Sequence, residues 1–394
     1  MSEEISITFG KSTKTYKVHN DIWKHIIVDS KKELHGWFTG LEPSGRRECT
    51  SERLLINPYN GCSHNCVFCY AHALWGYFEL FRKKGVVTVF KDFDKVISKQ
   101  LDKLSIASCG YISPTTDPFQ PLNHKYKLTE KIIKEFVKRN IPVEFITKGK
   151  ISNSAINLIK RQEHSFGQVS ILTLDEEIRS NLRIGGASTE ELIKNIERLS
   201  NNNIFAVCRI DPIVPYLTNK KEDLEELVKK VVEAGAKHII ASCMDIPEKL
   251  RYEILDKFYS LGVGSKYLRL YTEKIGYNLN ANIAYRKKLF KKVREICDKY
   301  KVTMSLCMEY EIINNKVKGL NREFMSSKSC EGIEIPIYLR KGERFEPLEN
   351  CDGNCLFCKD AVCGIQDLKK AGAWKLRDYK RWSMELRNHM QRRL

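Results

Sequence analysis

Residues 54–70 read LLINPYNGCSHNCVFCY, a short apolar run that leads into three closely spaced cysteines. An apolar run of this length, bounded by Asn, Pro and Gly, is typical of a buried strand. Cys62, Cys66 and Cys69 follow it in the spacing C-x3-C-x2-C. Active-site loops of α/β folds follow the carboxyl ends of strands. The sequence therefore predicts a functional thiol loop after the first strand of an α/β domain.

The spacing of the three thiols favours an iron–sulfur cluster over a single metal ion. Three thiolates on a compact loop can hold three irons of a [4Fe–4S] cluster and leave the fourth iron open to a small-molecule chelate. Gly61 allows the backbone to pass close to such a cluster. The alternative is a zinc site completed by His64 or a remote residue, although zinc ligands usually come as paired C-x2-C halves.

Short apolar runs alternate with helical patterns along most of the chain. The predicted strands are Leu54–Asn57, Cys109–Ser113, Val143–Thr147, Val169–Thr173, Phe205–Ile210 and His238–Ser242. The predicted helices include Thr129–Lys138, Ser188–Leu199, Lys221–Ala234 and about 281–300, the last followed by the apolar run Val302–Met308. This alternation predicts a parallel sheet covered by helices. Six strand–helix units predict an α/β fold with a partial (β/α)6 barrel over residues 51–310. An N-terminal lead-in (1–50) precedes the barrel, and a small cysteine-rich, basic C-terminal module (311–394) follows it.

The thiol loop, with Tyr70 directly after the third cysteine, resembles that of the radical S-adenosylmethionine (SAM) superfamily. The segment Asn57-Pro58-Tyr59-x-Gly61-Cys62 is similar to the spore photoproduct lyase-like, or DNA-repair-photolyase-like, group of that superfamily. The likeness covers roughly residues 50–310 and includes four further segments, at 116–121, 146–148, 172–175 and 209–215. It implies a radical SAM barrel whose reduced [4Fe–4S] cluster cleaves SAM to methionine and a 5′-deoxyadenosyl radical, which then takes hydrogen from a substrate.

The resemblance also implies which residues contact SAM. Tyr70 should lie near the adenine, and Thr116 and Asp117 should face the methionine moiety. Lys148 and Ser170, on the third and fourth strands, are further candidates, and Arg209 is a candidate for the SAM carboxylate or ribose. Each has a plainer interpretation: an ordinary turn for Thr116-Asp117-Pro118, a solvated strand end for Lys148, and an internal salt bridge for Arg209.

One position departs from the spore lyase pattern. That enzyme has a hydrogen-donor cysteine directly before its Thr-Ser-Asp segment, whereas here Pro114 precedes Thr115-Thr116-Asp117. Cys109, on the same strand, is the nearest thiol and the candidate catalytic donor. A simply buried Cys109 is the favoured alternative.

A second group of thiols lies near the C-terminus. Cys351, Cys355, Cys358 and Cys363 fall within one short polar segment, and Cys330 is a candidate fifth ligand. The sequence NCLFC at 354–358 repeats the NCVFC at 65–69, which favours a second, auxiliary [4Fe–4S] cluster. Structural zinc and a metal-free redox site are the alternatives. Lys359 stands where Tyr70 follows the first loop, so no second SAM site is predicted.

The charge balance points to a polyanionic partner. The chain has 67 Lys and Arg against 49 Asp and Glu, a formal net charge of +18, which favours nucleic acid or a cationic substrate channel. The tail segment WKLRDYKRW (374–382) interleaves basic and aromatic residues, which suits phosphates and unstacked bases. A merely soluble basic surface, and an amphipathic helix packed on the barrel, are the plainer interpretations.

Composition predicts a globular, cytoplasmic protein. With 42% hydrophobic residues and no apolar run of transmembrane length, neither disorder nor a membrane partner is expected. The N-terminus lacks signal-peptide features. A reducing compartment makes a disulfide framework unlikely to form, so the isolated Cys208, Cys243 and Cys297 are predicted to be small core residues.

Together these features predict a radical SAM enzyme, of spore photoproduct lyase-like type, that acts on nucleic acid in repair or modification. An electron donor such as flavodoxin or ferredoxin is the expected protein partner. The enzymatic alternative is modification of a peptide or protein side chain. The non-enzymatic alternative, an iron–sulfur electron carrier or zinc-stabilised binding protein, is disfavoured because only three cysteines crowd the first loop.

Overall fold

The structure is a computed structural model that describes residues 3–9, 11–30, 32–36, 49–182 and 184–365. The basic–aromatic segment 374–382 lies outside the described residues. The strands of the described part, in chain order, are β1 (Glu4–Phe9), β2 (Ser12–Lys17), β3 (His25–Asp29), β4 (Arg53–Ile56), β5 (Tyr59–Asn60), β6 (Val87–Lys91), β7 (Ile106–Ala107), β8 (Cys109–Ile112), β9 (Val143–Thr147), β10 (Phe166–Ser170), β11 (Phe205–Ile213), β12 (His238–Cys243), β13 (Ile246–Pro247), β14 (Glu273–Ile275), β15 (Asn278–Asn280), β16 (Thr303–Leu306), β17 (Tyr310–Ile313), β18 (Lys316–Gly319), β19 (Tyr338–Lys341) and β20 (Arg344–Pro347).

Helices connect most of these strands. The α-helices are α1 (Tyr77–Lys84), α2 (Phe93–Leu101), α3 (Pro121–Tyr126), α4 (Leu128–Lys138), α5 (Asn153–Ile159), α6 (Glu176–Asn181), α7 (Thr189–Asn201), α8 (Lys221–Glu233), α9 (Arg251–Ser260), α10 (Gly264–Leu270), α11 (Ile283–Lys299) and α12 (Asn321–Phe324), with short 3-10 helices at Tyr70–Ala73 and Glu248–Leu250. Ser188 caps α7 by accepting the Glu191 amide at 3.3 Å. None of the described helices is both long and apolar enough for a membrane span.

Seven strands form one sheet in the order β4-β8-β9-β10-β11-β12-β16, and every neighbouring pair is parallel. Their residues are almost all buried, because helices cover the outer face and side chains fill the inner one. The predicted α/β fold class is confirmed. The predicted count of six strands is one short, since the run Val302–Met308 supplies β16 as a seventh.

The N-terminal lead-in joins a smaller sheet. Strands β1 and β2 form an antiparallel hairpin, and β3 pairs in parallel with β6, which also pairs with β5. Ile26 and Val28 of β3 are buried. The lead-in therefore packs on the segment that follows the thiol loop.

The described part of the C-terminal segment packs on the barrel. β19 pairs antiparallel with β7, with Tyr338 opposite Ala107, and the Leu356 amide donates to the Thr50 carbonyl at 2.9 Å. Tyr338 and Phe345 are buried in the main hydrophobic core. The division into domains at residue 311 stays a prediction.

A buried ionic network joins the first strand to its neighbours. Arg53, only 1% exposed, donates to Glu144 at 2.7 Å and also pairs with Glu331. Glu144 in turn accepts a hydrogen bond from Gln168 at 2.8 Å. Burial and the adjacent Glu331 raise the pKa of Glu144. Arg53 is thus the cation that makes burial of these two carboxyl groups tolerable.

Replacing Arg53 by Met should lower the free energy of unfolding by about 3–5 kcal/mol, because it leaves buried carboxyl groups without their cation. Denaturant unfolding measures this. The control is Arg294→Met, which removes a half-exposed pair with Asp298 and should cost below about 1 kcal/mol. Equal losses in the two variants would contradict a stabilising role for the network.

Candidate active site

A cavity of about 1660 Å³ opens at the carboxyl ends of the main sheet, and residues in or directly after all seven strands line it. Cys62, Cys66 and Cys69 line the same cavity. The thiol loop therefore lies at the carboxyl ends of the strands, where the sequence predicts it.

The thiol loop is compact and tightly supported. Gly61 adopts a φ of +86°, and a Cβ atom there would lie 2.7 Å from the Phe81 ring. The Cys69 amide donates to the Cys66 carbonyl at 3.1 Å. Burial raises the pKa of all three thiols, that of Cys69 to about 11, so binding iron must displace their protons. Three thiols facing one roomy cavity fit a cluster with one iron open.

The Asp117 carboxylate holds the loop against two strand ends. One oxygen accepts the Phe119 amide and the Thr147 hydroxyl, each at 2.8 Å. The other accepts the Lys148 amide at 2.6 Å and lies 3.2 Å from His64 Nε2. Burial alone would raise the pKa of Asp117, but His64 and these hydrogen bonds hold it below its usual value. These contacts connect the thiol loop to the ends of two strands, so Asp117 positions the loop. Whether it also contacts SAM stays a prediction.

Gly185 and Gly186 also support the thiol loop, because they pack between the loop and the Lys148 backbone. The Gly185 amide donates to the His64 carbonyl at 3.1 Å. A Cβ on Gly185 would lie 2.3 Å from that carbonyl oxygen, and one on Gly186, at φ +103°, would lie 2.1 Å from the Lys148 carbonyl oxygen. Only glycine allows so close an approach of three backbone segments.

The other predicted SAM contacts all line the cavity, and several bind one another. Lys148 donates to the Ser170 hydroxyl at 2.8 Å. Arg209 donates to Gln168 at 2.9 Å and to Asp211 at 3.1 Å, so it makes the internal salt bridge that was its alternative interpretation.

Tyr70 and Thr116 precede these residues in the chain and are less buried than they are. Tyr70 is 48% exposed, and its hydroxyl donates to the Pro114 carbonyl at 2.8 Å. Thr116 lies 3.4 Å from the Asn57 side-chain oxygen. Both remain open to the cavity, as a ligand contact requires. Whether any of these residues touches SAM stays a prediction.

Cys109 is not brought to the site. It is fully buried and pairs in register with Arg53 at the amino ends of β8 and β4. The five residues from Cys109 to Pro114 span roughly 16 Å of strand, which removes this thiol from the cavity mouth. The candidate donor role therefore gives way to the buried-core interpretation.

The cavity is also lined by Cys307 and Lys32, which no sequence motif indicated. Cys307 directly follows β16, and burial raises its pKa to about 12 although Arg209 lies close by. Lys32 donates to Asn60 at 2.8 Å, and burial lowers its pKa to about 7. The position of Cys307 after a strand was a usable signal, whereas the burial of Lys32 has no trace in local sequence. Cys208 and Cys297 are core residues as predicted, while Cys243 is both buried and part of the lining.

The four C-terminal thiols share a second, smaller cavity. Cys351, Cys355, Cys358 and Cys363 all line a space of about 470 Å³. Cys330 lies elsewhere: it lines the large cavity, and its sulfur accepts the Thr50 amide at 3.3 Å. The structure therefore corrects its grouping as a fifth ligand. Among the described residues, no three His, Cys, Asp or Glu side chains converge as around one metal ion.

Comparison with known proteins agrees with this geometry. The sequence model of the Radical SAM superfamily matches residues 56–231. The chain is thus similar to this superfamily over the segment that contains the thiol loop and the following strands. Radical SAM proteins carry a [4Fe–4S] cluster and bind SAM, and the three loop thiols with their open cavity fit that cluster.

Individual relatives are similar to this chain over different lengths. The Radical SAM Nα-GlyT isomerase of Pseudomonas phage M6 is 26% identical over 395 residues, covering 94% of this chain and 82% of the relative. An uncharacterized protein of Methanocaldococcus jannaschii is 24% identical over 176 residues, covering 45% of this chain and 66% of that protein.

A solved structure titled spore photoproduct lyase complexed with dinucleoside spore photoproduct has a TM-score of 0.55 at 13% identity, covering 72% of this chain and 81% of that one. This likeness shows a shared fold. Membership of the spore lyase-like group stays a prediction.

Replacing Gly186 by Ala should reduce SAM cleavage on the order of 100-fold, because the new methyl group must push the Lys148 carbonyl and misplace the loop. Gly262→Ala is the matched control: Gly262 also has a positive φ (+75°), but nothing lies within 4 Å of its Cβ position. Release of 5′-deoxyadenosine under dithionite, with iron content and melting temperature, measures both. Equal cleavage by the two variants would show that the brace does not position the loop.

Proposed function

We propose that the chain is a radical SAM enzyme that modifies or repairs a base within a nucleic acid. When bound, the cluster and SAM supply a 5′-deoxyadenosyl radical that can remove hydrogen from an unactivated position. The observation that carries the proposal is the large cavity, which places the three loop thiols in the same space that would admit a bulky substrate.

The chain's own residues would bind and orient the reactants. The loop thiolates would hold the cluster, and Asp117 with Gly185-Gly186 would fix the loop relative to the strand ends. Lys148 and Arg209 would offer cationic groups to the SAM carboxylate or ribose, and Tyr70 an aromatic face to the adenine.

The charge of the chain supports a polyanionic substrate that places a base in the cavity. The whole chain is at +18, whereas carboxylates of the cavity lining are already paired with cations: Asp211 with Arg209, Glu331 with Arg53 and Glu309 with Arg286. A nucleic acid would keep its backbone outside the cavity and turn one base into it. The phage relative, similar along almost the whole chain, is named as an isomerase, which supports a rearrangement within one substrate.

Nucleic acid should stimulate 5′-deoxyadenosine formation, and a Cys66→Ala variant should form none, because two thiolates cannot hold the cluster with a single open iron. The assay compares single-stranded DNA, duplex DNA, tRNA, Nα-GlyT and a peptide library under dithionite. Mass spectrometry of the product should show an unchanged mass if the reaction is an isomerisation. Stimulation by peptides alone would overturn the proposed substrate class and favour side-chain modification.

We also propose that the four C-terminal thiols hold a second [4Fe–4S] cluster. All four line one cavity of about 470 Å³, enough space for a cluster of this kind, and Cys363 and Cys355 are buried in it. Structural zinc is the alternative. A flavodoxin or ferredoxin as electron donor fits either case.

The double variant Cys355→Ala/Cys358→Ala should lose about four irons per chain, one cluster's worth, and keep some SAM cleavage uncoupled from substrate. Cys297→Ala, which removes a buried thiol of the core, is the control and should keep all its iron. Metal analysis of anaerobically purified protein decides the matter. Loss of zinc in place of iron would establish the alternative, and unchanged metal would show that these thiols are not ligands.

A further inference from the structure

Two large aromatic side chains stand exposed on the rim of the large cavity. Trp75 is 79% exposed and Tyr277 is 77% exposed, and both line the cavity. Tyr252 is 82% exposed but does not line it. Exposing large aromatic rings to water forgoes burial energy, so an indole and a phenol ring at one cavity mouth indicate a surface that a ligand covers.

The short helix Glu248–Leu250 connects both rings into one unit. Lys249 Nζ lies 4.5 Å from the centroid of the Trp75 ring and donates to the Ala73 carbonyl at 3.3 Å. The Glu248 amide donates to the Tyr277 carbonyl at 2.9 Å. These contacts join the backbone segment of Tyr277 to the Trp75 ring through neighbouring residues of one short helix.

This unit adjoins the thiol loop. Trp75 follows the 3-10 helix Tyr70–Ala73, which begins directly after Cys69. Tyr277 lies in the turn between β14 and β15, whose sheet also contains β13 next to the end of β12. A ligand held on these rings would therefore lie beside the entrance to the radical chemistry.

From this placement we propose that Trp75 and Tyr277, with Lys249, form a stacking platform for unpaired nucleobases at the cavity mouth. The inference rests on the proposed function and names how its substrate is held. Aromatic faces stack on bases of any sequence, and a nearby lysine adds attraction for the phosphate between them. Bases next to the target would stack on the rim while the target base turns into the cavity.

The charge distribution selects this occupant. Lys249 places a cation at the rim itself, next to the Trp75 ring, where it can attract a phosphate. A wholly apolar ligand would leave that cation desolvated, at a cost in free energy. A single strand, with neutral bases and a charged backbone, satisfies both the rings and the lysine.

The test measures binding of a fluorescein-labelled oligodeoxynucleotide of about 12 nucleotides, within the usual site sizes, and of a hairpin duplex. Fluorescence anisotropy with the SAM-loaded holoprotein gives the dissociation constants. Trp75→Ala should weaken single-strand binding on the order of tenfold, since stacking contributes about 1–3 kcal/mol per base. Duplex binding should change much less. Trp75→Phe should restore most of the affinity, and Tyr252→Ala, the matched exposed aromatic, should bind as the wild type does.

The outcomes separate the platform from the proposed function. If the wild type binds single strands and Trp75→Ala binds them equally well, the platform is wrong and the proposed function stands. If the wild type binds no nucleic acid, but a peptide quenches tryptophan fluorescence in the wild type and not in Trp75→Ala, both are wrong. Iron content and melting temperature equal to those of Tyr252→Ala exclude misfolding as the cause of a loss in Trp75→Ala.

Discussion

The carboxylate of Asp117 is the interaction on which the site depends. It joins the segment after β8, the end of β9 and the His64 of the thiol loop through contacts of 2.6–3.2 Å. Because one carboxylate contacts all three elements, moving any one of them disturbs the placement of the other two. The pKa of Asp117 is lowered by the same contacts, which keeps it ionised and the loop held at neutral pH.

Around that centre, the polar groups of the site are arranged before any ligand binds. Lys148 bonds Ser170, and Arg209 bonds Asp211, so side chains that could meet SAM already occupy defined rotamers. A ligand then exchanges existing hydrogen bonds for its own and orders few side chains, which lowers the entropic cost of binding. The Gly185-Gly186 brace adds rigidity without side chains, because three backbone segments meet where a methyl group would not fit.

The sequence predicts those parts of the molecule that local pattern controls. Continuous apolar runs predict the positions of the strands, and the C-x3-C-x2-C spacing predicts the thiol loop. Both patterns depend on residues that are neighbours in the chain. The assignments of Cys109 and Cys330 failed where contacts are distant. The position of Cys109 depends on the strand register that pairs it with Arg53. The sulfur of Cys330 accepts a hydrogen bond from Thr50, which is 280 residues away in the chain. The seventh strand was visible only as an apolar run, and the exposure of Trp75 has no signal in local sequence, since burial is decided by the whole fold.

The net charge of the chain differs from the balance of charged side chains along the cavity lining. The chain is at +18, yet the carboxylates outnumber the cations along the described cavity lining. The cations inside are also weakened: burial lowers the pKa of Lys32 to about 7, and Arg209 is paired with Asp211. The positive surplus of the chain therefore falls on residues other than those of the described cavity lining. For the nucleic-acid substrate proposed above, this distribution would favour contacts of the phosphates outside the cavity, with the bases toward the cysteine loop.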